Sequence, residues 1–320
     1  MIVAGIDEAG LGPVLGPMVV TAAVVRVPDD LAGASMWDLL APEVTHRPSR
    51  RGGTVVLADS KKLFSRKSKT GLAHLERGVL GMLATRGRTC GSLRKLLAVV
   101  APGVAAGLGE YPWYADADVA LPVKLSANDV GFAANALAAA MQRRDMRLEA
   151  IRSRVLPVGE FNRIVAVTRN KSALALDQTC RLLAYVWTKA DAALRVHVDR
   201  QGGRVHYLRA LQRTFSGCQF KVVDESETRS AYVVSERGKR MEISFAVGAE
   251  EQHLPVALAS MVCKYVRELM MGLLNGFWQG RVEGLAATAG YYTDGRRFFG
   301  EIGRAMAELG VDEGLIYRSR

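Results

Sequence analysis

The sequence predicts one α/β domain that carries an inserted segment and ends in a helical portion. Three observations support this prediction. The 320 residues are 49% hydrophobic and 23% charged, a balance typical of a folded chain with an ample core. Short valine-rich runs alternate with stretches of helical spacing. Acidic residues stand where several predicted strands end, so helix, strand and acid recur as a unit.

The predicted strands are short apolar runs, most of them rich in β-branched residues. The first run ends at Asp7-Glu8, and a Gly/Pro turn joins it to the second. A polar turn with a glycine at 236–239 predicts a hairpin. The strands are expected at 1–6, 17–27, 53–58, 148–158, 194–199 and 219–223, and on both flanks of the 236–239 turn.

Helices are predicted where apolar residues recur every three or four positions. Ser126 is a suitable N-cap for an alanine-rich helix, and Pro255 stands in the first turn of the longest helix. That helix has one apolar stripe and a second stripe made of Ser260, Lys264 and Arg267. The helices are expected over 72–83, 126–144, 172–189 and 255–274, with a helical portion from about 294.

Residues 1–293 are expected to form the main domain, and residues 294–320 the C-terminal helical portion. Residues from about 96 to 125 look inserted into this domain, because they show no regular period, contain several glycines and include an aromatic patch at 111–114.

The charge of the chain favours a polyanionic partner. It has 43 Lys and Arg against 32 Asp and Glu, a formal charge of +11. Nucleic acid and an anionic membrane surface both remain open on charge alone. Ten basic residues fall between residues 59 and 95, and the ordinary alternative for them is a solvated face. They are Lys61, Lys62, Arg66, Lys67, Lys69, Arg77, Arg86, Arg88, Arg94 and Lys95.

Several classes of protein are excluded by what the sequence lacks. The four cysteines are far apart, which argues against a disulfide scaffold or a zinc ribbon. The uncharged stretch 9–25 contains two prolines and follows two acids, so it is neither a spanning helix nor a signal peptide. Nucleotide-binding phosphate loops, nucleophile elbows and zinc-protease motifs are missing. We therefore expect a soluble, cytoplasmic protein with no membrane partner.

Acids at strand ends are the remaining candidates for chemistry. Asp7 and Glu8 end one strand, Asp199 ends another, and Glu250-Glu251 shortly precede the longest helix. Carboxylates gathered from separate elements provide the oxygen ligands that Mg²⁺ and Mn²⁺ prefer. The alternative is that each acid is a solvated turn or cap residue. Neighbours in a regular strand face opposite sides, so Asp7 and Glu8 share a site only if the strand ends or twists there.

Six blocks occur in a fixed order and cover roughly half of the chain. They are Gly5-Ile6-Asp7-Glu8-Ala9-Gly10 with Gly12-Pro13 and Gly16-Pro17, then Asp59-Ser60-Lys61-Lys62-Leu63, Val198-Asp199, Ala259-Ser260 with Lys264 and Arg267, Gly290-Tyr291-Tyr292-Thr293 and Ile316-Tyr317-Arg318-Ser319. Together they resemble the motifs of type 2 ribonucleases H, the ribonuclease HII and HIII family. Residues 85–145 have no counterpart among these motifs.

The resemblance implies a ribonuclease H-like fold, in which helices flank a mixed sheet. It implies a metal-dependent endonuclease that cuts RNA in RNA–DNA hybrids, or ribonucleotides embedded in DNA, with two Mg²⁺ or Mn²⁺ ions and 5′-phosphate products. The family's four carboxylates map to Asp7, Glu8, Asp199 and Glu250, of which the last is usually aspartate in the family. Glu251 is the alternative in a register shifted by one residue.

The resemblance also implies a set of substrate contacts, with two departures from the family pattern. The family's Gly-Arg-Gly loop, which reads the ribose at an RNA–DNA junction, is Gly10-Leu11-Gly12 here and lacks the cation. Tyr292 replaces a proline, while Tyr291 stands in the place of the family's sugar-stacking tyrosine. Phosphate contacts are expected from Lys61, Lys62, Ser260, Lys264 and Arg267. The alternatives are core packing for Tyr291 and a solvated face for the others.

Two other functions remain open. One is a duplex-binding protein that kept the fold and lost turnover, which Leu11 and Glu250 would explain, although the retention of four acids argues against it. The other is an unrelated α/β protein with coincident motifs. Binding without metal-dependent cleavage would identify the first. In every case the chain is expected to act as a monomer.

Overall fold

The computed structural model of the protein describes residues 1–47, 54–65, 70–190 and 192–319. Its strands, in chain order, are β1 (Ile2–Ala9), β2 (Met18–Arg26), β3 (Val44–Thr45), β4 (Val55–Val56), β5 (Arg147–Leu156), β6 (Ala193–Asp199), β7 (Gln219–Glu225), β8 (Arg229–Glu236) and β9 (Lys239–Ala246). β3 and β4 form a separate parallel pair. The others form one mixed sheet of seven strands in the order β5-β2-β1-β6-β9-β8-β7.

Helices cover both faces of this sheet. They are α1 (Met36–Leu39), α2 (Ser60–Leu63), α3 (Gly71–Ala84), α4 (Leu93–Val100), α5 (Ala105–Leu108), α6 (Ala127–Gln142), α7 (Val158–Thr168), α8 (Lys171–Trp187), α9 (Leu208–Thr214), α10 (Ala249–Gln252), α11 (Leu254–Gln279) and α12 (Tyr292–Glu308). Over the described ranges, none of these helices has the length and apolar character needed to cross a membrane. The predicted fold class, a mixed sheet flanked by helices with a helical C-terminal portion, is confirmed.

Three parallel strands at the centre of the sheet set the position of the acidic residues. β6 pairs in parallel with β1 on one side and with β9 on the other. The outer pairings, of β2 with β1 and β5 and of β8 with β9 and β7, are antiparallel. The carboxyl ends of β1, β6 and β9 therefore meet at one edge of the sheet, where ligands bind in many α/β proteins.

The core lies on both faces of the sheet. On β1, Val3 belongs to the cluster that packs against α11, whereas Ile2, Ala4 and Ile6 belong to the cluster that packs against α8, as the period of two requires. Gly5 allows the close approach of α11, because a Cβ atom there would lie 2.1 Å from the amide nitrogen of Val256. This contact fixes the start of α11 beside the carboxyl end of β1.

Most of the predicted elements are confirmed with shifted ends. β1 extends through the two acids to Ala9, and the long helix runs from Leu254 to Gln279. Ser126 caps α6 as expected, within a capping box completed by Asp129. Only two residues of the strand predicted at 53–58 are in β4, and Gly53 lies outside the described residues, as do Arg66, Lys67 and Lys69 of the basic segment.

Seven helices of the described residues were not predicted: α1, α2, α4, α5, α7, α9 and α10. α5 falls within the segment without regular period, α4 begins three residues before that segment, and α7 follows the strand that was expected to continue to Val158. In α7, Pro157 occupies the N-cap position, and Phe161 and Val165 are buried. Valine and isoleucine are neutral to poor helix formers, so tertiary packing decides the helix there.

Residues 85–145 pack into the main core of the protein. The aromatic patch is buried, and the rings of Trp113 and Trp278 have centroids 6.0 Å apart. The buried carboxylate of Glu76 accepts hydrogen bonds from the backbone amides of Lys124 at 2.8 Å and Leu125 at 3.1 Å. The division into residues 1–293 and 294–320 stays a prediction, although α12 begins at Tyr292, close to that boundary.

Candidate active site

Three acids meet at the carboxyl edge of the parallel strands. Asp7 lies in β1 and Asp199 is the last residue of β6. Glu250 lies in α10, which the chain enters after β9 through Gly248 in a left-handed conformation with φ of 66°. The topology therefore brings together residues that are as much as 243 positions apart in the sequence.

Asp7 is a buried carboxyl group whose ionised form is disfavoured. Only 8% of the residue is exposed. Burial raises the pKa of Asp7 well above its usual value, a hydrogen bond from Ser260 opposes this rise, and the charges of Asp199 and Glu8 add to it. The Ser260 hydroxyl also lies 2.9 Å from that of Ser60, so α11 and α2 both support the position of Asp7.

Asp199 and Glu250 form a hydrogen-bonded pair of carboxyl groups. Burial raises the pKa of Asp199, and the hydrogen bond from Glu250 opposes the rise. Burial also raises the pKa of Glu250, and the contact with Asp199 raises it further, so the pair favours a proton shared between the two carboxyl groups. The other carboxyl oxygen of Glu250, Oε2, is buried and has no hydrogen-bond partner within the described chain. Two carboxylates in contact repel each other unless a proton or a cation lies between them.

Glu8 points to the opposite face of the sheet from Asp7. Its Oε2 accepts a hydrogen bond of 2.9 Å from Gln201, which also donates to Thr179 of α8 at 2.8 Å. β1 continues as a strand through both acids. Successive side chains of a strand point to opposite faces, so Asp7 and Glu8 are separated, as the period of two predicts. Glu8 is still close enough for its charge to raise the pKa values of Asp7 and Asp199.

The acids of this cluster offer the type of ligand atom that a divalent ion prefers, but their side chains do not surround a common point. Over residues 1–47, 54–65, 70–190 and 192–319, no three His, Cys, Asp or Glu side chains are placed so that together they would hold a metal ion. The candidate donors are all carboxylate oxygens, which Mg²⁺ and Mn²⁺ prefer. The unpartnered Oε2 of Glu250 and the proton shared with Asp199 are the features that a cation would replace.

Lys61 lies above the acids. Its Nζ is 3.9 Å from Oε1 of Glu250, and the side chain is 78% exposed. Burial of part of the side chain acts to lower the pKa of Lys61, but the surrounding carboxylates raise it above its usual value. In order of effect they belong to Asp59, Asp7, Glu250 and Asp199.

Glu251 faces away from this cluster. Its Oε1 pairs with Lys62 Nζ at 2.7 Å, and both side chains are more than half exposed. The hydrogen bond from Lys62 lowers the pKa of Glu251, in contrast to the raised pKa of Glu250. The structure therefore places Glu250, and not Glu251, beside Asp199.

Two of the three members of the predicted row of phosphate contacts on α11 are buried, so their contact with phosphate stays a prediction. Ser260 is buried and directed at Asp7 and Ser60. Arg267 is 3% exposed, and its guanidinium donates to the carbonyl oxygens of Pro17 at 2.5 Å, Leu15 at 3.2 Å and Ala289 at 3.1 Å. The spacing of Ser260, Lys264 and Arg267 correctly predicted that they share one face of the helix. It could not predict whether that face is exposed to solvent or covered by other parts of the chain.

Lys264, the third member, stays near the surface. Its Nζ pairs with Glu268 at 2.9 Å and lies 4.8 Å from the centre of the Phe64 ring. Its side chain is 20% exposed. A phosphate contact by Lys264 therefore requires that this ion pair be broken, and it stays a prediction.

The Gly10–Gly12 loop is held by a buried arginine that sequence reasoning did not single out. Arg318 donates to the carbonyl oxygen of Gly10, and to that of Gly16 from Nε at 3.1 Å and Nη2 at 2.5 Å. Gly10 has φ of 88°, and a Cβ there would lie 2.6 Å from the carbonyl oxygen of Pro17. Gly12 has open space around its Cα, whereas Leu11 packs partly against the α8 side of the core.

Tyr291 is exposed near residues 14 and 15, which follow the Gly10–Gly12 loop. It is 57% exposed and is the N-cap residue of α12, which excludes core packing as its role. The preceding residue, Gly290, accepts hydrogen bonds through its carbonyl oxygen from the amides of Val14 at 2.7 Å and Leu15 at 3.2 Å. This contact keeps Tyr291 at a fixed place relative to the loop.

Gln201 and Ser60 support the acids and were not singled out from the sequence. Gln201 binds Glu8, and Ser60 binds Ser260. The only sequence signal for Gln201 is its position two residues after Asp199, and the signal for Ser60 is its place in the Asp59-Ser60-Lys61 block. Neither signal names the partner, because both partners come from distant parts of the chain.

No known family model matches the chain, and no curated protein matches it. Among solved structures, the chain is similar to ribonuclease HII of Archaeoglobus fulgidus, which was solved in complex with PCNA. The TM-score is 0.41 at 15% identity, over 100% of this chain and 95% of that one.

Two further solved structures are similar. For ribonuclease H2 of Pyrococcus horikoshii OT3 the TM-score is 0.41 at 13% identity, over 99% of this chain and 92% of that one. For Bst-RNase HIII in complex with Mn²⁺ the TM-score is 0.43 at 14% identity, over 99% of this chain and 66% of that one. All three belong to the group that the sequence motifs resemble.

Proposed function

We propose that the protein is a metal-dependent endoribonuclease that hydrolyses the RNA strand of RNA–DNA hybrids or cuts at ribonucleotides embedded in duplex DNA. The observation that carries the proposal is the carboxyl pair of Asp199 and Glu250, with Asp7 beside it, at the edge of three parallel strands. Acids that repel one another in a partly buried position destabilise a fold, and such groups are concentrated at functional sites.

Asp7, Asp199 and Glu250 would hold the ions, and Glu8 would join them by turning its side chain around the carboxyl end of β1, away from Gln201. Bound Mg²⁺ or Mn²⁺ would activate the attacking water and stabilise the charge of the phosphodiester oxygens. Ser260 orients the carboxylate of Asp7. The proton shared by Asp199 and Glu250 leaves when both carboxylates bind a cation. No side-chain nucleophile is required for this hydrolysis.

Substrate would lie across the carboxyl edge of the sheet. The backbone of Gly10 and Gly12 and the exposed ring of Tyr291 are proposed to contact the sugars at an RNA–DNA junction. Lys61 and Lys62, which pair with the two glutamates of α10, are proposed to exchange these partners for backbone phosphates. The formal charge of +11 supports a polyanionic substrate.

The proposal is tested by cleavage of three labelled duplexes: a continuous RNA–DNA hybrid, DNA with one embedded ribonucleotide, and plain DNA. Each is incubated with Mg²⁺, Mn²⁺ or EDTA. We expect cleavage of the first two only, with metal only, and no cleavage by Asp199→Asn. The matched control, Asp30→Asn, changes an exposed acid far from the site and should retain full activity. Cleavage that survives EDTA or Asp199→Asn would contradict the proposal.

Stability should depend on pH in a way that an active-site carboxyl cluster explains. The pKa values of Asp7, Asp199 and Glu250 are raised in the folded protein, so the native state binds more protons than the unfolded chain as pH rises above the ordinary values of 3.8 and 4.5. In EDTA, these groups should therefore lower the free energy of unfolding as pH rises through that range. Mg²⁺ should reverse the loss at neutral pH, and urea unfolding with and without Mg²⁺ measures both effects.

A duplex-binding protein without turnover is the second candidate. It is favoured by one observation, the absence of three gathered metal ligands among the described residues. Retention of hybrid binding in EDTA together with no cleavage in Mg²⁺ or Mn²⁺ would establish it. That the chain works as a monomer in the cytoplasm stays a prediction.

A further inference from the structure

A cavity of about 650 Å³ lies on the face of the sheet against which α11 packs. Its floor is formed by β6, β8 and β9, beyond the edge of the area that α11 covers. One wall is the segment 32–36, and the other is the segment 252–255 at the start of α11. The volume is within the range of about 300–1,000 Å³ that is typical of small-molecule sites.

Three arginines and one glutamate line the cavity, so its lining carries a positive excess. Glu242 holds two of the arginines: its Oε2 lies 3.3 Å from Nε of Arg195, and its Oε1 lies 2.8 Å from Nη2 of Arg240. Arg195 also donates from Nη1 to the carbonyl oxygen of Ala32 at 3.2 Å, which joins the floor to one wall. These two guanidinium groups are therefore fixed in place.

Arg229 is the third arginine and differs from the other two. Within the part of the chain that the structure describes, no hydrogen bond or ion pair involves its guanidinium. Arg229 is opposite Ala246 in the ladder of β8 and β9, so its side chain is on the same face as Ser244, two residues earlier in β9. It is the cation available to an anionic ligand.

The same end of the cavity carries uncharged polar groups. The Ser244 hydroxyl lies 2.9 Å from Nδ1 of His197, and the ring of His197 stacks on that of His253 with centroids 3.5 Å apart. Arg229, His197 and His253 all line the cavity, and burial together with the charge of Arg229 lowers the pKa of His253. Apolar side chains complete the lining, among them Val3, Met36, Val233 and Leu254.

We propose that this cavity is a binding site for a small phosphomonoester with a planar or apolar body, of which a nucleoside monophosphate is the representative. The phosphate contacts Arg229 beside Ser244, and the body lies on the valine and methionine side chains. Guanidinium groups bind phosphate oxygens through paired, charge-assisted hydrogen bonds. The site uses none of the active-site carboxylates, so it does not depend on the proposed nuclease function.

The test is calorimetric titration of the full chain with adenosine 5′-monophosphate in EDTA, with adenosine and inorganic phosphate as separate probes. We expect the monophosphate to bind more tightly than either part. Arg229→Ala should weaken it by roughly tenfold or more, the loss typical of a charge-assisted contact, and Arg229→Glu should abolish it. Arg209→Ala, at an exposed arginine of α9 outside this cavity, is the matched control and should bind as the unchanged protein does.

The variant Asp199→Asn distinguishes binding in this cavity from binding at the active site. It should leave binding of the monophosphate unchanged. Four results would overturn the proposal: no binding of the monophosphate, equal binding by Arg229→Ala, loss of binding in Asp199→Asn, or binding of inorganic phosphate as tight as that of the monophosphate. Arg229 is exposed, so its variants are expected to fold, and circular dichroism checks this.

Discussion

Replacement of Arg318 by lysine should both destabilise the protein and weaken substrate binding. Arg318 is 2% exposed, and its guanidinium makes three hydrogen bonds, two to Gly16 and one to Gly10, while it lies 4.4 Å from the centre of the Phe161 ring. A lysine keeps the charge but has one nitrogen, so we expect it to keep one of the three bonds. The change keeps the positive charge, so it tests whether the several N–H donors of the guanidinium are needed.

The expected cost follows from the two bonds that are lost. Hydrogen bonds to charged groups contribute about 1.5–3 kcal/mol each, so Arg318→Lys should lower the free energy of unfolding by about 3–6 kcal/mol. Part of this is offset because burial already disfavours the charged guanidinium and lowers the pKa of Arg318 well below its usual value. We therefore expect the lower half of that range, measured by urea unfolding.

The functional effect of Arg318→Lys should appear in KM more than in kcat. Gly16 takes two of the three bonds, so we expect the lysine nitrogen to stay with Gly16 and the Gly10 carbonyl to lose its donor. The loop that is proposed to contact the ribose then becomes less ordered, while the acids of β1 and β6 stay in place. Arg304→Lys, at an exposed arginine paired with Glu308, is the control and should change neither quantity. A variant within about 1 kcal/mol of the unchanged protein in stability, with the same KM, would refute this reasoning.

Three further predictions concern the acids and the substrate contacts. Glu250→Gln should abolish cleavage and Glu251→Gln should not, because only Glu250 contacts Asp199; the reverse result in a nuclease assay would shift the ligand register by one residue. Replacement of both Lys61 and Lys62 by glutamate should flatten the salt dependence of hybrid binding. The slope of log binding constant against log salt concentration should change by about one per lost phosphate contact, and an unchanged slope would mean that neither lysine contacts phosphate. Leu11→Arg should sharpen the preference for a single embedded ribonucleotide over a continuous hybrid, as initial rates on the two substrates would show; strict preference before the change, unaffected by it, would contradict this.

The secondary structure around the site could be predicted because it depends on local patterns. The apolar run before Asp7, the strand that ends at Asp199 and the proline in the first turn of α11 all carry their signal within a few residues. The acids at strand ends were identifiable for the same reason. α7 was missed because its pattern is ambiguous between helix and strand, and packing decides it.

The sequence by itself placed Asp7 and Asp199 towards the carboxyl ends of strands and Glu250 shortly before the longest helix, since the period of two and the turn residues are local patterns. Only the tertiary structure decided what each polar side chain meets. Arg267 shares a face of α11 with Ser260, but its acceptors include the carbonyl oxygen of Pro17, 250 residues earlier in the chain. A periodic pattern states which residues lie together on a face and carries no information about the element that covers that face. The parallel order of β1, β6 and β9, which turns three separate acids into one cluster, is likewise a property of strand pairing across the whole chain.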